Sequence, residues 1–531
     1  MRSAITHRSG FPSTRLHSHL PLGFADVATV HYNERMGKKM STASLLLAII
    51  LLAYLVIGTL YAVCTPAWQV PDEPAHYNYV RHLADTGRFP VLQMGDYPHD
   101  YLEELKAYHF PADLSIEPIR YESHQPPLYY LLAVPAYWLA GGELLPLRLL
   151  SVALGGILLL VAYRLVRAIF PQQPALALGT TAFVAFLPMH VAMMAGVEND
   201  SLAELLLAIV GLLAVRYVAT GSEGQPTCWR QLLPMGIVLG LVLVTKTTAY
   251  AAAPLVLAAV LYRWHSERRW ASKPYRALGL QLLASLGPAL LVALPWYLRN
   301  GATYGWSDIT GLRWHDAVVL GQPRTGEWIL RSGWVDFLRR FAEFSFKSFW
   351  GVFGWMGVFV DNRIYQALAL LSGVVVAGLV ALLVRRRRLP SLPGPQHRQL
   401  VLLGIWAGWT ALQYLGYNLA FVQHQGRYLF PALIPIGLAF VLGWREVLRP
   451  GVSRWVTALL VLVGLSLALL GLVWGDWPTW PLLMVAAGAA GLFLRRWLPR
   501  RLDGLLFALP YIGLAVLDLV SLFVFIVPAL S

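Results

Sequence analysis

A helix of about twenty apolar residues spans the roughly 30 Å hydrocarbon core of a bilayer. Within hydrocarbon only helices and closed barrels satisfy their own backbone polar groups. Ala43 to Val63 is one such run, and comparable runs recur to the C-terminus, most of them closed by short Lys/Arg clusters. The expected fold is therefore an all-α integral membrane protein. With 57% hydrophobic and 13% charged residues over 531 positions, a soluble globular class is excluded. The net charge of +14 would suggest nucleic acid in a soluble chain. Here the basic residues sit between apolar segments, where they fix orientation, so no nucleic-acid partner is expected. Cys64 falls at the end of the first run and Cys228 in a basic loop, so no disulfide is expected.

The Lys/Arg rule orders the segments. Residues 1–42 form a cytoplasmic arm without apolar periodicity, expected to be disordered, with Met36 and Met40 as alternative starts. The first span, 43–63, runs outward and is too long for a signal-peptide core. A long external segment, 64–143, follows, with short helices at 73–86 and 100–107 and an interfacial helix near its end. Spans at 144–168, 174–194 and 201–218 enclose an external turn, "GVENDS". Next come about thirty apolar residues with Lys246 in the middle and basic residues on both flanks. Equal flanks require a hairpin, and each half covers only about 21 Å, which leaves Lys246 at an outward tip below the bilayer surface. Span seven, 274–297, leads to a second external segment, 298–362, rich in Trp, Phe and Gly. Six further spans bring the count to about thirteen: residues 43–445 form the core and 446–531 the C-terminal helices.

On this map the unusual polar residues fall on the external side: Asp72, Glu73, His124, Glu198, Asp200, Lys246, Arg299 and Arg427. Each has a plain structural reading. Asp72 or Glu73 ahead of Pro74 is a good helix cap, Glu198 and Asp200 suit a solvated turn, His124 suits a local structural role, and Arg427 suits an interface anchor. Lys246 is the hardest to set aside, because a lysine at membrane depth costs about 2.5–3.5 kcal/mol and usually lines a functional cavity. An ammonium there calls for an anion, and a lipid phosphate is the natural one at that depth. Carboxylates beside such a pocket suit a reaction in which a base deprotonates a hydroxyl nucleophile while cations stabilise a phosphate leaving group.

Read in order, an Asp-Glu pair after span one ("PDEPAHYNYV"), "HQPPLYYLL", the acidic turn "NDSLA", a "TK" hairpin tip, "SFWGVFGWMGV" and "QGRYLFPALIP" resemble the GT-C membrane glycosyltransferases. The resemblance is in particular to the protein O-mannosyltransferase and aminoarabinose transferase group and to the bacterial multipass proteins related to it. The resemblance covers most of 43–445. It implies a GT-C-like fold in a bacterial cell membrane, a polyprenyl-phosphate sugar donor, transfer on the outer face and inversion at the anomeric carbon. It also implies Asp72 and Glu73 as catalytic residues, Lys246, Arg427 and Arg299 at the donor phosphate, and Glu198, Asp200 and His124 toward acceptor or metal, leaving a divalent cation open. The sequence departs from the family's His-Pro-Pro element, since Gln125 separates His124 from Pro126. It has no large C-terminal soluble domain of the oligosaccharyltransferase kind, which weighs against Asn-linked transfer. The alternatives are a transporter or flippase of a lipid-linked or anionic substrate and a non-catalytic relative. A transporter would be expected to repeat its broken helices in two matching halves, and the sequence offers a single broken hairpin.

Overall fold

A computed structural model of the chain describes residues 41–220, 229–268, 273–387 and 392–531. The N-terminal arm and Cys228 lie outside the described residues. The helices in order are α1 (Thr42–Cys64), α2 (Glu73–Thr86), α3 (His99–Ala107), α4 (Leu128–Leu139), α5 (Leu144–Ile169), α6 (Pro174–Ala185) and α7 (Pro188–Met194). They continue with α8 (Asp200–Ala219), α9 (Trp229–Leu243), α10 (Ala252–Glu267), α11 (Pro274–Tyr304), α12 (Leu312–Val318) and α13 (Thr325–Trp350). A two-residue hairpin, β1 (Val352–Phe353) with β2 (Val358–Phe359), precedes α14 (Asn362–Arg386). The last elements are α15 (Gly394–Ala420), α16 (Leu433–Val447), α17 (Pro450–Trp474), α18 (Thr479–Leu494), α19 (Asp503–Val520) and α20 (Val527–Leu530). The fold is all-α, as expected.

Among the described residues, eight helical stretches are long and apolar enough to cross a membrane, or nine if α6 and α7 are one bent span. The sequence map reaches thirteen by adding the two hairpin halves, α15 and α18. At 15, 16 and 16 residues, α9, α10 and α18 are each shorter than a full crossing. α15 is long enough at 27 residues, but it carries Gln396, His397, Arg398 and Gln399 in its first turns. The span expected over 174–194 is not straight: α6 and α7 meet at 66°. Pro188 explains the break, because proline removes a helical N–H and pushes the preceding residue out of the α region.

The expected hairpin is present as α9 and α10, with Lys246 between them. Its packing follows from two glycines one helical turn apart. A Cβ on Gly236 would lie 2.3 Å from the Ser285 carbonyl oxygen, and one on Gly240 would lie 2.9 Å from that of Ala289. Small residues at this spacing let α9 lie directly against the backbone of α11.

The largest buried cluster runs through the bundle and contains Tyr54, Tyr61, Tyr79 and Trp406, all nearly fully enclosed. A separate small core, including Leu102, Leu105, Phe110, Ile119, Tyr121 and Val319, joins the loop after α1 to the loop after α11. Two tryptophans fasten these loops further. Trp314 Nε1 donates to the Leu92 carbonyl at 2.8 Å, and Trp355 Nε1 donates to that of Trp68 at 3.0 Å. The two long loops therefore form one layer over the bundle. The segment read as a Trp- and Phe-rich loop contains a 26-residue helix, α13, kinked at Gly333 where φ is +80°.

A buried acid-base cluster as candidate active site

Asp72 immediately precedes α2 and has left-handed backbone geometry (φ 69°, ψ −8°), which Asp tolerates better than most residues. Its carbonyl accepts from the Ala75 and His76 N–H groups, while its side chain caps nothing. The capping role open to this position is left unused, and the carboxylate faces other segments. Tyr121 donates its hydroxyl to Asp72 Oδ1 at 2.7 Å, and Arg427 Nη2 lies 2.8 Å from Oδ2. Burial would raise the Asp72 pKa, but the Arg427 guanidinium and the Tyr121 hydroxyl outweigh it and hold the carboxyl at about 2.

Arg427 reaches this position from the tight turn Gly426–Ala432, which precedes α16. A Cβ on Gly426 would lie 2.3 Å from the Ser345 carbonyl oxygen, so only glycine lets the turn press against α13. The Gly426 N–H is held by Ser348 Oγ at 2.7 Å. The second terminal nitrogen of Arg427 lies 3.8 Å from Glu198 Oε1, in the turn between α7 and α8. Glu198 Oε2 is 3.2 Å from Lys246 Nζ, and Lys246 is also 2.9 Å from Asp200 Oδ2. Asp72, Arg427, Glu198, Lys246 and Asp200 thus form one continuous chain of alternating acidic and basic groups. Burial pushes the Glu198 carboxyl well above the usual carboxylate range, although Lys246 beside it pulls the other way.

The tip of the hairpin is tied to its neighbours by backbone groups. Leu128 N–H, the first after Pro126-Pro127, donates to the Val244 carbonyl at 3.0 Å, and Asn199 Nδ2 approaches the Thr245 carbonyl at 3.4 Å. The "HQPPL" element, the acidic turn and the "TK" tip therefore meet at one point.

Three sequence candidates lie outside this chain of charges. Glu73 is fully buried, with Oε1 and Oε2 paired to Arg148 at 2.8 and 2.6 Å. It also accepts from the Val197 and Trp68 N–H groups, and Arg148 in turn donates to the carbonyls of Ala62, Thr65 and Pro66. This pair joins α2 and α5 to the end of α1 and to the acidic turn. Arg299 donates to the Pro90 carbonyl and lies 4.8 Å from the centre of the Trp296 ring, with no carboxylate from the cluster beside it. His124 is buried against His315, their rings 4.3 Å apart.

Sequence reasoning passed over three residues that the fold brings in. His76, four residues from Asp72, places Nε2 3.6 Å from Glu198 Oε2 and Nδ1 2.8 Å from the Tyr130 hydroxyl. Burial and the Lys246 charge lower its pKa to about 3, so the ring is neutral. Tyr121 and Glu122 come from a short 3₁₀ turn (Tyr121–His124). Burial and the Asp72 charge raise the Glu122 pKa to about 7, and its Oε2 is buried without a partner among the described residues. The closeness of His76 to Asp72 in the sequence was the available signal for the first; the other two had none.

The acidic residues do not fit a divalent cation. Glu198 and Asp200 both face the Lys246 ammonium, and among the described residues no three His, Cys, Asp or Glu side chains converge on a metal position.

An all-α bundle with this buried cluster under a two-loop layer has the fold of the GT-C membrane glycosyltransferases. The chain is similar over 90% of its length to ArnT from Cupriavidus metallidurans bound to undecaprenyl phosphate. The match covers 76% of that chain at 15% identity with a TM-score of 0.50. The apo state of the same protein matches at 14% identity, covering 91% of this chain and 77% of that one, also at 0.50. The S. cerevisiae protein O-mannosyltransferase Pmt1-Pmt2 complex bound to the sugar donor is 16% identical, with coverage of 52% and 36% and a TM-score of 0.36. The Dolichyl-phosphate-mannose-protein mannosyltransferase family profile matches residues 124–296, which include His124, Glu198, Asp200 and Lys246. No curated protein sequence matches the chain.

Proposed function

We propose that the protein is a membrane glycosyltransferase that moves a sugar from a polyprenyl-phosphate donor to an acceptor hydroxyl on the outer face, with inversion. The observation that carries this reading is the unbroken link from Asp72 through Arg427 and Glu198 to Lys246. It joins a carboxylate from the first loop to a cation at the hairpin tip. The GT-C fold supports it, as does the undecaprenyl phosphate bound by the ArnT structure. The outer-face orientation rests on the Lys/Arg clusters at the opposite helix ends.

Arg427 and Lys246 each face carboxylates of the cluster. A donor phosphate entering the cluster competes for Arg427 and Lys246 and draws the guanidinium from Asp72. Without that partner the Asp72 pKa rises toward the ordinary carboxylate value, which makes it a stronger base. The acceptor hydroxyl gives its proton to Asp72 as its oxygen bonds to the anomeric carbon. The bond from that carbon to the phosphate oxygen breaks on the opposite face, which inverts the centre. The electron pair leaves on the polyprenyl phosphate, whose charge Arg427 and Lys246 stabilise. Glu73 and Arg148 act by positioning the segment that carries Asp72.

The test is sugar transfer from a labelled polyprenyl-phosphate donor in membranes containing Asp72→Asn. Loss of transfer by a factor of about 10² to 10⁴ is expected, with normal protein level and retained polyprenyl-phosphate binding. Unchanged transfer removes Asp72 as the base.

A further inference from the structure

A cleft of about 670 Å³, none of whose lining residues belongs to the acid-base cluster, lies between the first external loop, the β-hairpin and the end of the C-terminal helix. Its two walls differ in chemistry. One carries Gln69, Glu103 and Lys106; the other carries Val524 and Phe525 near the end of a stretch long and apolar enough to cross the membrane. Val524 is 58% exposed. The cleft thus joins the end of a membrane-length apolar stretch to the polar loop layer.

Two further observations show that the cleft is a built site. Gln69 is 3% exposed, yet its side-chain Nε2 is buried with no hydrogen-bond partner among the described residues. An unsatisfied buried donor costs about 1–3 kcal/mol, so this one calls for an acceptor. The backbone is also strained around the cleft. Six non-glycine residues described here have positive φ: one is Asp72, and the others are Trp68, His109, Phe110, Trp355 and Met356. His109 and Trp355 line the cleft and Trp68 adjoins Gln69. Strain of this kind persists where the surroundings enforce it and clusters at ligand sites.

We infer that this cleft binds a phospholipid with a phosphoethanolamine headgroup. The phosphate faces the Lys106 ammonium beside Gln69, whose side chain turns outward to donate from Nε2, while the lipid's primary ammonium faces Glu103. The acyl chains continue along Val524 and Phe525. The charges decide the headgroup. Lys106 and Glu103 form one ion pair at 2.7 Å, so a zwitterion laid against them is balanced where an anionic headgroup would leave Glu103 opposed. A choline headgroup fits less well, because the Trp355 face is already occupied by Lys106 at 4.7 Å from the ring centre and Glu103 needs an N–H donor. The bound lipid would brace the loop that runs through Gln69 to Asp72. The inference does not depend on the sugar-transfer reading.

The experiment measures thermal unfolding of the full chain, delipidated in detergent, with added short-chain phosphoethanolamine, phosphocholine or phosphoglycerol lipids. A ligand that binds the folded state raises the midpoint by mass action, and a rise of about 3 °C or more is expected with phosphoethanolamine alone. Gln69→Leu and Lys106→Met should abolish the selective rise. Ala529→Trp should also abolish it by filling the cleft without removing a polar group, each variant being compared with its own lipid-free midpoint. Equal rises for all three headgroups, or a rise that survives all three substitutions, overturns the inference. Asp72→Asn retains the rise, which keeps this result separate from the test of sugar transfer.

Discussion

Arg427 Nη2 lies 2.8 Å from Asp72 Oδ2, across 355 positions of sequence. The same guanidinium extends its other terminal nitrogen toward Glu198. Arg427 is thus shared between the acid of the first loop and the acid of the turn before α8. A phosphate that claims this guanidinium changes both carboxylates at once, which couples donor arrival to the basicity of Asp72.

Replacing Arg427 with Gln should therefore do more than weaken donor binding. Sugar transfer should fall by about 10²-fold or more, the scale of losing one preorganised charge from a transition-state site. Asp72 should also lose the partner that holds its carboxyl at about 2, so the acid limb of kcat/KM, which reports the enzyme before the donor binds, moves to higher pH. A profile measured for Arg427→Gln that superimposes on the wild type after scaling would contradict this role.

Glu73 and Arg148 are 0% and 3% exposed, and each is the other's only charged partner among the described residues. Breaking such a pair from one side strands a buried charge at about 3–5 kcal/mol, whereas removing both charges costs much less. Arg148→Met alone should lower the unfolding midpoint more than the double substitution Glu73→Met with Arg148→Met. Additive losses in the two-residue cycle would show that the pair is not the unit.

Gly426→Ala places a methyl 2.3 Å from a main-chain oxygen of α13, which cannot rotate away. The turn has to move, and Arg427 moves with it. The expected result is a transfer rate reduced by about 10-fold or more even where protein level is retained, since misplacement by about 1 Å can cost 10²-fold. Wild-type kinetics in Gly426→Ala would mean that the turn does not set the guanidinium.

The bounds of α2 and α3 could be read from sequence to within a residue, and those of α2 have clear chemistry: Pro74 at its start, Gly87 with φ +65° at its end. Asp72, Glu198, Asp200, Lys246 and Arg427 could also be grouped, since each is a charge beside an apolar run on the same side of the map. What sequence order could not supply was direction. Asp72 and Glu73 are adjacent, but consecutive residues point to different faces at a helix start, so one enters the cluster and the other meets Arg148. Arg299 follows an apolar run just as Arg427 precedes one, yet its partner is a loop carbonyl, which no spacing rule reveals. The bend between α6 and α7 was not read, because the apolar run continues across Pro188. The length of α13 was hidden by Gly333 and by its many aromatics.

Glu122 offers the clearest pH test. Its carboxyl is raised to about 7 by burial and by the negative charge of Asp72. A raised folded-state pKa means that the folded protein binds more protons than the unfolded chain between the ordinary Glu value and about 7. This contribution to stability is complete below the ordinary Glu value and is lost as pH rises toward 7. At 1.36 kcal/mol per pKa unit the total is about 3 kcal/mol. Glu122→Gln keeps the shape and removes the titration. Its unfolding midpoint should match the wild type at acid pH, rise above it progressively across this window, and hold a constant advantage above about pH 8. Asp72→Asn removes the charge that helps raise Glu122, so in that background the advantage of Glu122→Gln should shrink. An advantage that is flat with pH would show that Glu122 does not change charge in this range.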